Sequence, residues 1–390
     1  MKIAQVAPLH ESVPPKLYGG TERVVSYLTE ALAGLGHEVT LYASGDSVTT
    51  ARLRPACDAS LRLDKRSVDP MADHVRLAEM VFRESSEFDF VHSHIDYIAY
   101  PLWRRMQTPR VTTLHGRLDI PNLQRLFCEF SDEPVISISD HQRRPVPRAF
   151  WQATVYHGLP EDLYRFHEGG GGYLAFLGRI SPEKRVDRAI EIARRVGLPL
   201  KVAAKVAKAD AEYFEEIGKP LLEQPGVEFI GEIGEKDKNE FLGNALALLF
   251  PVDWPEPFGL VMIEAMACGT PVIACARGSV PEIIEDGKTG FLIEDAEAGC
   301  KAVERVVELN RKRCREEFER RFTAARMAAD YLRVYEQIMS ARSVARTSTT
   351  CRAQGQNGPW NGSGVVADRV PVLSSDERYH SSSGEILHPG

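Results

Sequence analysis

Two acidic residues, Glu256 and Glu264, stand eight positions apart in the stretch WPEPFGLVMIEAMACG. Glu256 lies in a loop after the strand-like run LALLFPV, whereas Glu264 lies among apolar residues of a helical stretch. A carboxylate among apolar neighbours is costly unless it accepts strong hydrogen bonds. The paired hydroxyls of a ribose would supply such bonds. The alternative is a structural role, in which Glu264 binds a backbone N–H or a lysine and Glu256 caps the loop.

The residues between the two glutamates could bind an anion. Gly259, Leu260 and Val261 begin the helical stretch, so their N–H groups have no partner within the helix. These donors and the helix dipole favour a negative group such as a diphosphate.

Two cations stand at a second predicted strand end. In LGRISPEKRVDRAI, Arg179 ends a strand and Lys184 follows near the start of a helix. An arginine fork and a lysine point charge could bracket a diphosphate and stabilise it as a leaving group. We interpret Arg185 and Arg188 as surface residues.

The N-terminal half offers weaker signals of the same kind. Gly19 and Gly20 precede a helix, where they serve either a plain turn or the close approach of an anion. His115 ends the strand-like run RVTTLHG and could hydrogen-bond a sugar hydroxyl or serve the fold alone. His92 and His94 share one strand face, but no third ligand follows at usable spacing, so no metal site is predicted.

The elements that must position these residues are apolar strands that alternate with amphipathic helices, as in α/β proteins with parallel sheets. Thr21 is the predicted N-cap of the first helix, and Ser139 with Gln142 forms a predicted capping box. Four glycines at 169–172 predict a hinge between two Rossmann-like domains, with the ligand in the cleft between them. The predicted strands are KIAQVAP, EVTLYAS, DFVHSHI, RVTTLHG, EPVISIS and ATVYHG, then YLAFLGR, LPLKVAAKV, VEFIGEI, LALLFPV and TPVIACA.

The last fifty residues have a different composition. From about Ala341 onward, Ser, Gly and Pro are frequent and hydrophobic residues are scattered. We predict a disordered tail over 341–390, because such a segment cannot bury enough apolar surface to offset its ordering entropy. The start of a truncated further module is the alternative.

Composition excludes several classes of protein. A formal net charge of −7 argues against a nucleic-acid binder. The seven cysteines are scattered and form no C-x-x-C pair, which is typical of reduced thiols in a cytoplasmic protein. No stretch approaches the roughly 20 apolar residues of a transmembrane helix, and the N-terminus lacks a signal-peptide core. We expect a cytoplasmic protein, with peripheral contact to a membrane surface left open.

Taken together, these stretches resemble the GT-B glycosyltransferases of retaining family 4, the glycogen-synthase-like and mannosyltransferase-like group. The resemblance covers about residues 1–340. It rests on EPFGLVMIEAMACGTPVIA and RGSVPEIIEDGKTGFLI, extended by GRISPEK, YGGTERVV, TLHG and VYHGL. It implies an N-terminal acceptor domain over 1–165, a C-terminal nucleotide-sugar donor domain over 166–322, and a final helix over 323–340 that crosses back to the first domain.

The resemblance also implies a role for each candidate residue. Glu256 would contact hydroxyls of the donor sugar, and Glu264 would bind the ribose of the nucleotide. Arg179 and Lys184 would bind the diphosphate, and His115 would line the catalytic centre. The remaining contacts with sugar, phosphates and acceptor fall to Gly19, Gly20, Phe258, Gly259, Leu260 and Val261.

Two positions depart from the family pattern. Many relatives carry Lys-Gly where this chain has Lys184-Arg185, which predicts a different local backbone. His157 stands where an asparagine is common, which puts the interdomain contact there in doubt.

The implied activity is transfer of a hexosyl group from a UDP- or GDP-linked sugar to an acceptor hydroxyl, with retention of anomeric configuration. The resemblance implies no cofactor and no obligatory metal, and the chain has no D-x-D motif. The acceptor could be a sugar, a lipid or a small molecule. A nucleotide-sugar 2-epimerase on the same fold and a non-catalytic nucleotide-sugar-binding protein are the alternatives.

Overall fold

A computed structural model describes residues 1–16, 19–64, 66–169 and 171–354, with only the backbone described over 343–354. Contacts divide the chain into one unit, Met1–Ser343, and a second, Val344–Gly390. From position 355 onward, the predicted tail lies outside the described residues. The prediction of a disordered tail is wrong for its first part, from 341 to 354, which is the end of a long helix, Ala324–Gln354.

The first domain contains a parallel sheet with helices on its faces. Its strands are β1 Lys2–Val6, β2 Glu38–Ser44, β3 Arg52–Cys57, β4 Phe90–Ser93, β5 Arg110–Thr113, β6 Pro134–Ser137 and β7 Phe150–Thr154. Its helices are α1 Gly20–Gly34, α2 Pro70–Glu84, α3 Tyr100–Trp103, α4 Pro121–Glu129 and α5 Asp140–Arg143. Within the described residues, seven strands form this sheet in the order β3-β2-β1-β4-β5-β6-β7.

The second domain repeats this plan with a smaller sheet. Its strands are β8 Leu174–Arg179, β9 Leu200–Lys205, β10 Val227–Gly231, β11 Ala247–Phe250, β12 Val272–Cys275 and β13 Gly290–Ile293. Its helices are α6 Val186–Val196, α7 Ala211–Tyr213, α8 Lys219–Leu222, α9 Glu235–Gly243, α10 Leu260–Ala267, α11 Val280–Ile283, α12 Ala296–Arg305 and α13 Arg311–Arg321. The strand order is β10-β9-β8-β11-β12-β13, again parallel.

The central strands read as continuous apolar runs because helices cover both faces of the sheet. Ile3, Ala4 and Val6 of β1 are fully buried, and β1 pairs with β2 on one side and β4 on the other. In such a sheet every strand ends at the same edge, so the loops that follow the strands are brought together.

The final helix, α14 Ala324–Gln354, packs its first part on the N-terminal domain. Tyr331 and Tyr335 are fully buried there, and the Tyr335 ring stacks on Phe90 of β4 with centroids 4.3 Å apart. The chain approaches this helix at Gly158, where a Cβ would overlap the backbone of Thr323. Glycine is required at that crossing because two backbones meet.

The predicted order of strands and helices is confirmed, with local corrections. The prediction of Thr21 as N-cap is wrong, because α1 begins at Gly20 and its N-cap is Gly19. Ser139 does cap α5 and accepts a hydrogen bond from the Gln142 N–H. The last N-terminal strand lies at Phe150–Thr154, before most of the predicted ATVYHG. Strands β3 and β13 were not predicted, since arginines and a proline interrupt the first and a glycine begins the second.

In the part of the chain that the structure describes, no helix has the length and apolar character needed to cross a bilayer.

Candidate active site

A cleft of 610 Å³ lies where strands of both sheets end. Its walls include the loops after β4, β5 and β11, the end of β8, and the first turns of α1 and α10. The cleft is lined by every residue that the sequence predicts for the site: Gly19, Gly20, His115, Arg179, Lys184, Glu256, Phe258, Gly259, Leu260, Val261 and Glu264.

Helix α10 begins at the cleft with a glycine that cannot be replaced freely. Gly259 has φ 82°, and a Cβ there would lie 2.8 Å from the Met262 side chain and 3.1 Å from the Phe250 ring. This left-handed residue turns the chain sharply from the loop into the helix. The first N–H groups of α10 therefore lie at the wall of the cleft, where an anion could accept from them.

Glu256 lies in the loop before α10 and binds a lysine. Its carboxylate accepts hydrogen bonds from Lys184 Nζ and, at 2.8 Å, from the indole Nε1 of Trp254. The Lys184 ammonium also lies 5.1 Å from the Trp254 ring centroid and 5.5 Å from that of Phe250. The aromatic faces and the carboxylate together compensate the lysine for its lost hydration.

The backbone of this loop is supported by the segment RGSVPEII. Ser279 donates its N–H to the Glu256 carbonyl at 2.9 Å and its hydroxyl to the Phe258 carbonyl at 2.8 Å. Gly278, at φ 60°, packs so closely on Glu256 that a Cβ would overlap its backbone. This contact explains the Gly-Ser pair in that segment.

Glu264 lies on α10 and is 3% exposed. Its Oε1 accepts a hydrogen bond of 2.7 Å from Nζ of Lys238 on α9. The structural alternative considered for Glu264, a bond to a lysine, is therefore present, although both residues line the cleft. Burial lowers the pKa of Lys238, and the Glu264 carboxylate opposes that shift.

Lys238 also belongs to a network of ion pairs that reaches the N-terminal domain. Lys238 lies 3.8 Å from Glu235, and Glu235 also pairs with Arg23 of α1 in the other domain. Tyr164 donates its hydroxyl to the same glutamate. The carboxylate at Glu264 is thus connected through charged side chains to the N-terminal domain.

Arg179 is paired with carboxylates of its own domain. Its guanidinium contacts Glu183, and its Nε lies 3.3 Å from Asp210. A diphosphate in the cleft would have to compete with these partners, as it would with Glu256 for Lys184.

The glycine pair at α1 lies across the cleft from α10. A Cβ on Gly19 would lie 2.8 Å from Pro15 and 3.2 Å from the Glu22 carboxylate, so this position is crowded. A Cβ on Gly20 would lie 3.7 Å from Leu260, which is ordinary van der Waals contact.

His115 is partly buried and lies against two buried histidines, His94 and His157. Its Nε2 lies 2.9 Å from Nδ1 of His94, and its ring stacks on His157 with centroids 5.3 Å apart. The His157 ring in turn lies 4.7 Å from the Phe258 ring, centroid to centroid. His157, which stands where an asparagine is common in the family, therefore forms a contact between the two domains. Burial lowers the pKa of His115 to about 3, and the ring is neutral at ordinary pH.

Sequence reasoning missed two carboxyl groups that line the cleft. Burial raises the pKa of Asp96 to about 6 and that of Glu22 to about 7. Asp96 follows a strand end in HSHID, directly after the histidines that were noted, and its position there was the available signal. Glu22 reads as an ordinary first-turn acid of α1, and nothing in the sequence marks it.

Arg185 takes the backbone conformation that glycine favours. Its φ is 55° and its ψ is 49°, in the left-handed region between the Pro182–Lys184 turn and α6. The expectation of a different backbone at this departure from the family stays a prediction, and the conformation found here is one that a glycine adopts readily. Ion pairs from Arg185 to Asp187 at 2.8 Å and Asp253 at 3.1 Å hold the strained residue.

Within the described residues, no group of three or more His, Cys, Asp or Glu side chains could hold a metal ion.

Two parallel Rossmann-like sheets whose strand ends share a cleft define the GT-B architecture of glycosyltransferases. Family models agree: Glycosyl transferases group 1 matches residues 166–321, and Glycosyltransferase Family 4 matches residues 18–161. The alpha-maltose-1-phosphate synthase of Mycolicibacterium smegmatis is 30% identical over 397 residues, which cover 86% of this chain and 99% of that protein. The chain belongs to the group 1, family 4 glycosyltransferases.

Solved structures share the fold at lower identity. Sucrose-phosphate synthase from Thermosynechococcus elongatus has a TM-score of 0.71 at 20% identity, over 87% of this chain and 100% of that chain. The Anabaena protein HepE, crystallised with UDP and glucose, has a TM-score of 0.67 at 16% identity, over 86% of this chain and 100% of that chain.

Glu22 should make stability depend on pH. Because its pKa is about 7 in the folded protein and lower in the unfolded chain, the native state binds more protons between these values. The free energy of unfolding therefore falls as the pH rises through this window. We expect Glu22→Gln to gain up to about 3 kcal/mol relative to the parent protein between about pH 5 and about pH 8.

Urea unfolding at the two pH values measures this gain, and Glu304→Gln, an exposed glutamate, controls for loss of a carboxylate. A gain in Glu22→Gln that is equal at both pH values would contradict the prediction.

The left-handed Arg185 can be tested by two substitutions that lose the same ion pairs. Arg185→Ala keeps the steric cost of the left-handed backbone, which is about 1–2 kcal/mol, whereas Arg185→Gly relieves it. We expect the glycine variant to be more stable than the alanine variant by about 1 kcal/mol in urea unfolding. Equal stabilities, or a more stable alanine variant, would show that the backbone is not strained.

Proposed function

We propose that this glycosyltransferase transfers a hexosyl group from a nucleoside-diphosphate sugar to an acceptor hydroxyl, with retention of anomeric configuration and without an obligatory metal. One observation carries the proposal: Glu256 and Glu264 line the same cleft on either side of the N-terminus of α10, each bound to a lysine. The crystal of the HepE neighbour contains UDP and glucose, which supports a UDP-linked donor, and a GDP-linked donor remains the other candidate.

The donor would lie along α10. Glu264 would accept hydrogen bonds from the ribose hydroxyls, the first N–H groups of the helix would bind the diphosphate, and Glu256 would contact the sugar. The eight positions between the two glutamates would then correspond to the part of the loop and the helical turn along which the diphosphate lies. Phe258 and Leu260 would pack against the sugar and phosphates.

Binding of the diphosphate would rearrange the charges of the cleft. Lys184 is bound to Glu256, and a diphosphate that carries more negative charge than one carboxylate would attract the ammonium group. Glu256 would then lose one partner and accept a sugar hydroxyl in its place. Arg179 would likewise exchange Glu183 for a phosphate oxygen, with its fork geometry suited to both.

The chemical step would be departure of the diphosphate from the anomeric carbon. Lys184, Arg179 and the helix N-terminus would stabilise the negative charge that grows on the leaving group. Glu256 would fix the sugar ring and not attack it. His115, neutral and at the cleft wall, would orient the sugar by hydrogen bonding and would not transfer a proton.

Substitutions of Lys184 and Glu256 test this assignment. We expect Lys184→Ala and Glu256→Ala each to lower kcat by about 100-fold or more, because each removes a preorganised charge from the transition state. Lys236→Ala, an exposed lysine of the same domain, is the matched control and should keep the parent rate. Parent rates in both cleft variants, measured as release of nucleoside diphosphate, would refute the assignment.

The donor itself can be identified by thermal shift. A panel of UDP- and GDP-linked hexoses at about 100 times the dissociation constant should stabilise the protein by about 2.7 kcal/mol for the true donor. Glu264→Gln should abolish that shift while the free protein still unfolds cooperatively. If no nucleotide sugar raises the melting temperature, the proposed donor class is wrong.

A further inference from the structure

A chain of hydrogen bonds runs beneath the cleft through three neighbouring strands of the N-terminal sheet. Gln5 belongs to β1, His94 follows β4, and His115 follows β5. The Gln5 Oε1 lies 2.9 Å from His94 Nε2, and His94 Nδ1 lies 2.9 Å from His115 Nε2. Gln5 is fully buried and His94 is 2% exposed, so water does not compete for these contacts.

The orientation of the Gln5 side-chain amide determines which atom donates and which accepts in each of these hydrogen bonds. Its amide nitrogen donates to the Tyr335 hydroxyl at 3.3 Å and lies 3.5 Å from His92 Nδ1, whose lone pair accepts from that same hydroxyl at 2.7 Å. Its oxygen then faces His94 and accepts a hydrogen bond. A neutral imidazole has one N–H donor and one acceptor nitrogen, so His94 carries its proton on Nε2 and presents a lone pair at Nδ1.

The same rule determines which nitrogen of His115 carries the proton. The His94 lone pair at Nδ1 requires a donor at 2.9 Å, and the facing atom is Nε2 of His115. With its proton on Nε2, His115 has a bare lone pair on Nδ1. That Nδ1 atom is buried and has no hydrogen-bond partner among the residues that the structure describes, and His115 lines the cleft.

We propose that Gln5 and His94 are positioning residues that fix His115 as the Nε2–H tautomer, so that its Nδ1 accepts a hydrogen bond from a hydroxyl of the bound sugar. The proposal rests on the proposed function for the identity of the ligand, but the tautomer itself does not depend on it. His115 then selects for a sugar with a hydroxyl at the contacted position, because a group without O–H would leave the lone pair unsatisfied.

The neutral state of the rings is a condition of this argument. Burial lowers the pKa of His92, His94 and His115, and their mutual repulsion as cations acts in the same direction for His92 and His94. A doubly protonated ring would donate from both nitrogens and break the chain.

The fixed tautomer should be lost when Gln5 no longer accepts. In Gln5→Met, a proton on His94 Nε2 would be buried without an acceptor, which is costlier than a bare lone pair. His94 would move its proton to Nδ1 and donate to His115, which would then carry its proton on Nδ1. We expect kcat to fall about tenfold or more with KM for the donor changed less than threefold.

Gln5→Glu is the rescue variant. A carboxylate accepts from His94 Nε2–H, and a protonated carboxyl offers the same oxygen while donating to Tyr335, so the tautomer is retained in either state. Thr108→Val is the matched control in the same domain. Thr108 donates its hydroxyl to the Ser85 carbonyl at 2.8 Å, a buried hydrogen bond that involves neither Gln5 nor the histidines, so its loss should lower stability without changing the tautomer.

The direct measurement is nitrogen NMR of the full chain labelled with ¹⁵N-histidine, with the His115 signals identified by their absence in His115→Asn. We expect a protonated Nε2 and a bare Nδ1 in the parent, Gln5→Glu and Thr108→Val proteins, and a protonated Nδ1 in Gln5→Met. A protonated Nδ1 in the parent protein, or an unchanged tautomer in folded Gln5→Met, would overturn the proposal. If no donor is turned over, the proposed function fails, whereas the NMR result still decides the tautomer.

Discussion

Two lysine–carboxylate pairs neutralise the charge that the β11–α10 segment carries into the cleft. Glu256 binds Lys184 and Glu264 binds Lys238 at 2.7 Å, and all four side chains are largely buried. Removing one partner of such a pair leaves an uncompensated buried charge, at a cost of about 3–5 kcal/mol. The turn that bears Lys184 is therefore held in place by Glu256 of the loop before α10, and the helix that bears Lys238 is held by Glu264 of α10.

The same segment is fixed from the other domain. Ser139 of the N-terminal domain donates its hydroxyl to the Pro257 carbonyl at 2.7 Å. Glu282 accepts the backbone N–H groups of Asp140 and His141 at 2.8 and 2.7 Å, at the start of α5. A carboxylate at a helix N-terminus also benefits from the dipole. The loop that carries Glu256 thus lies between two domains that both hold it, which is the preorganisation that an electrostatic site needs.

Local patterns were sufficient for most of the fold. The buried strands of parallel sheets are mainly apolar, and β8, β9, β11 and β12 lie within the predicted stretches. Edge strands are different, because only one side is paired and part of each is exposed. β3 contains arginines and a proline and was missed for that reason. The cap of α1 was misassigned because threonine is a favoured N-cap residue, whereas the helix begins one residue before Thr21, at Gly20, with Gly19 as its cap.

The sequence by itself determined the family, the two-domain α/β architecture, and eleven of the residues that line the cleft, because each rests on short stretches whose spacing is local. Only the tertiary structure decided the partners of those residues. Lys238 stands 26 positions from Glu264, and Gln5 stands 89 positions from His94, at separations where no periodicity relates them. Whether a buried carboxylate has a lysine, and which nitrogen of a histidine holds its proton, depends on atoms that only the folded sheets bring within hydrogen-bonding distance.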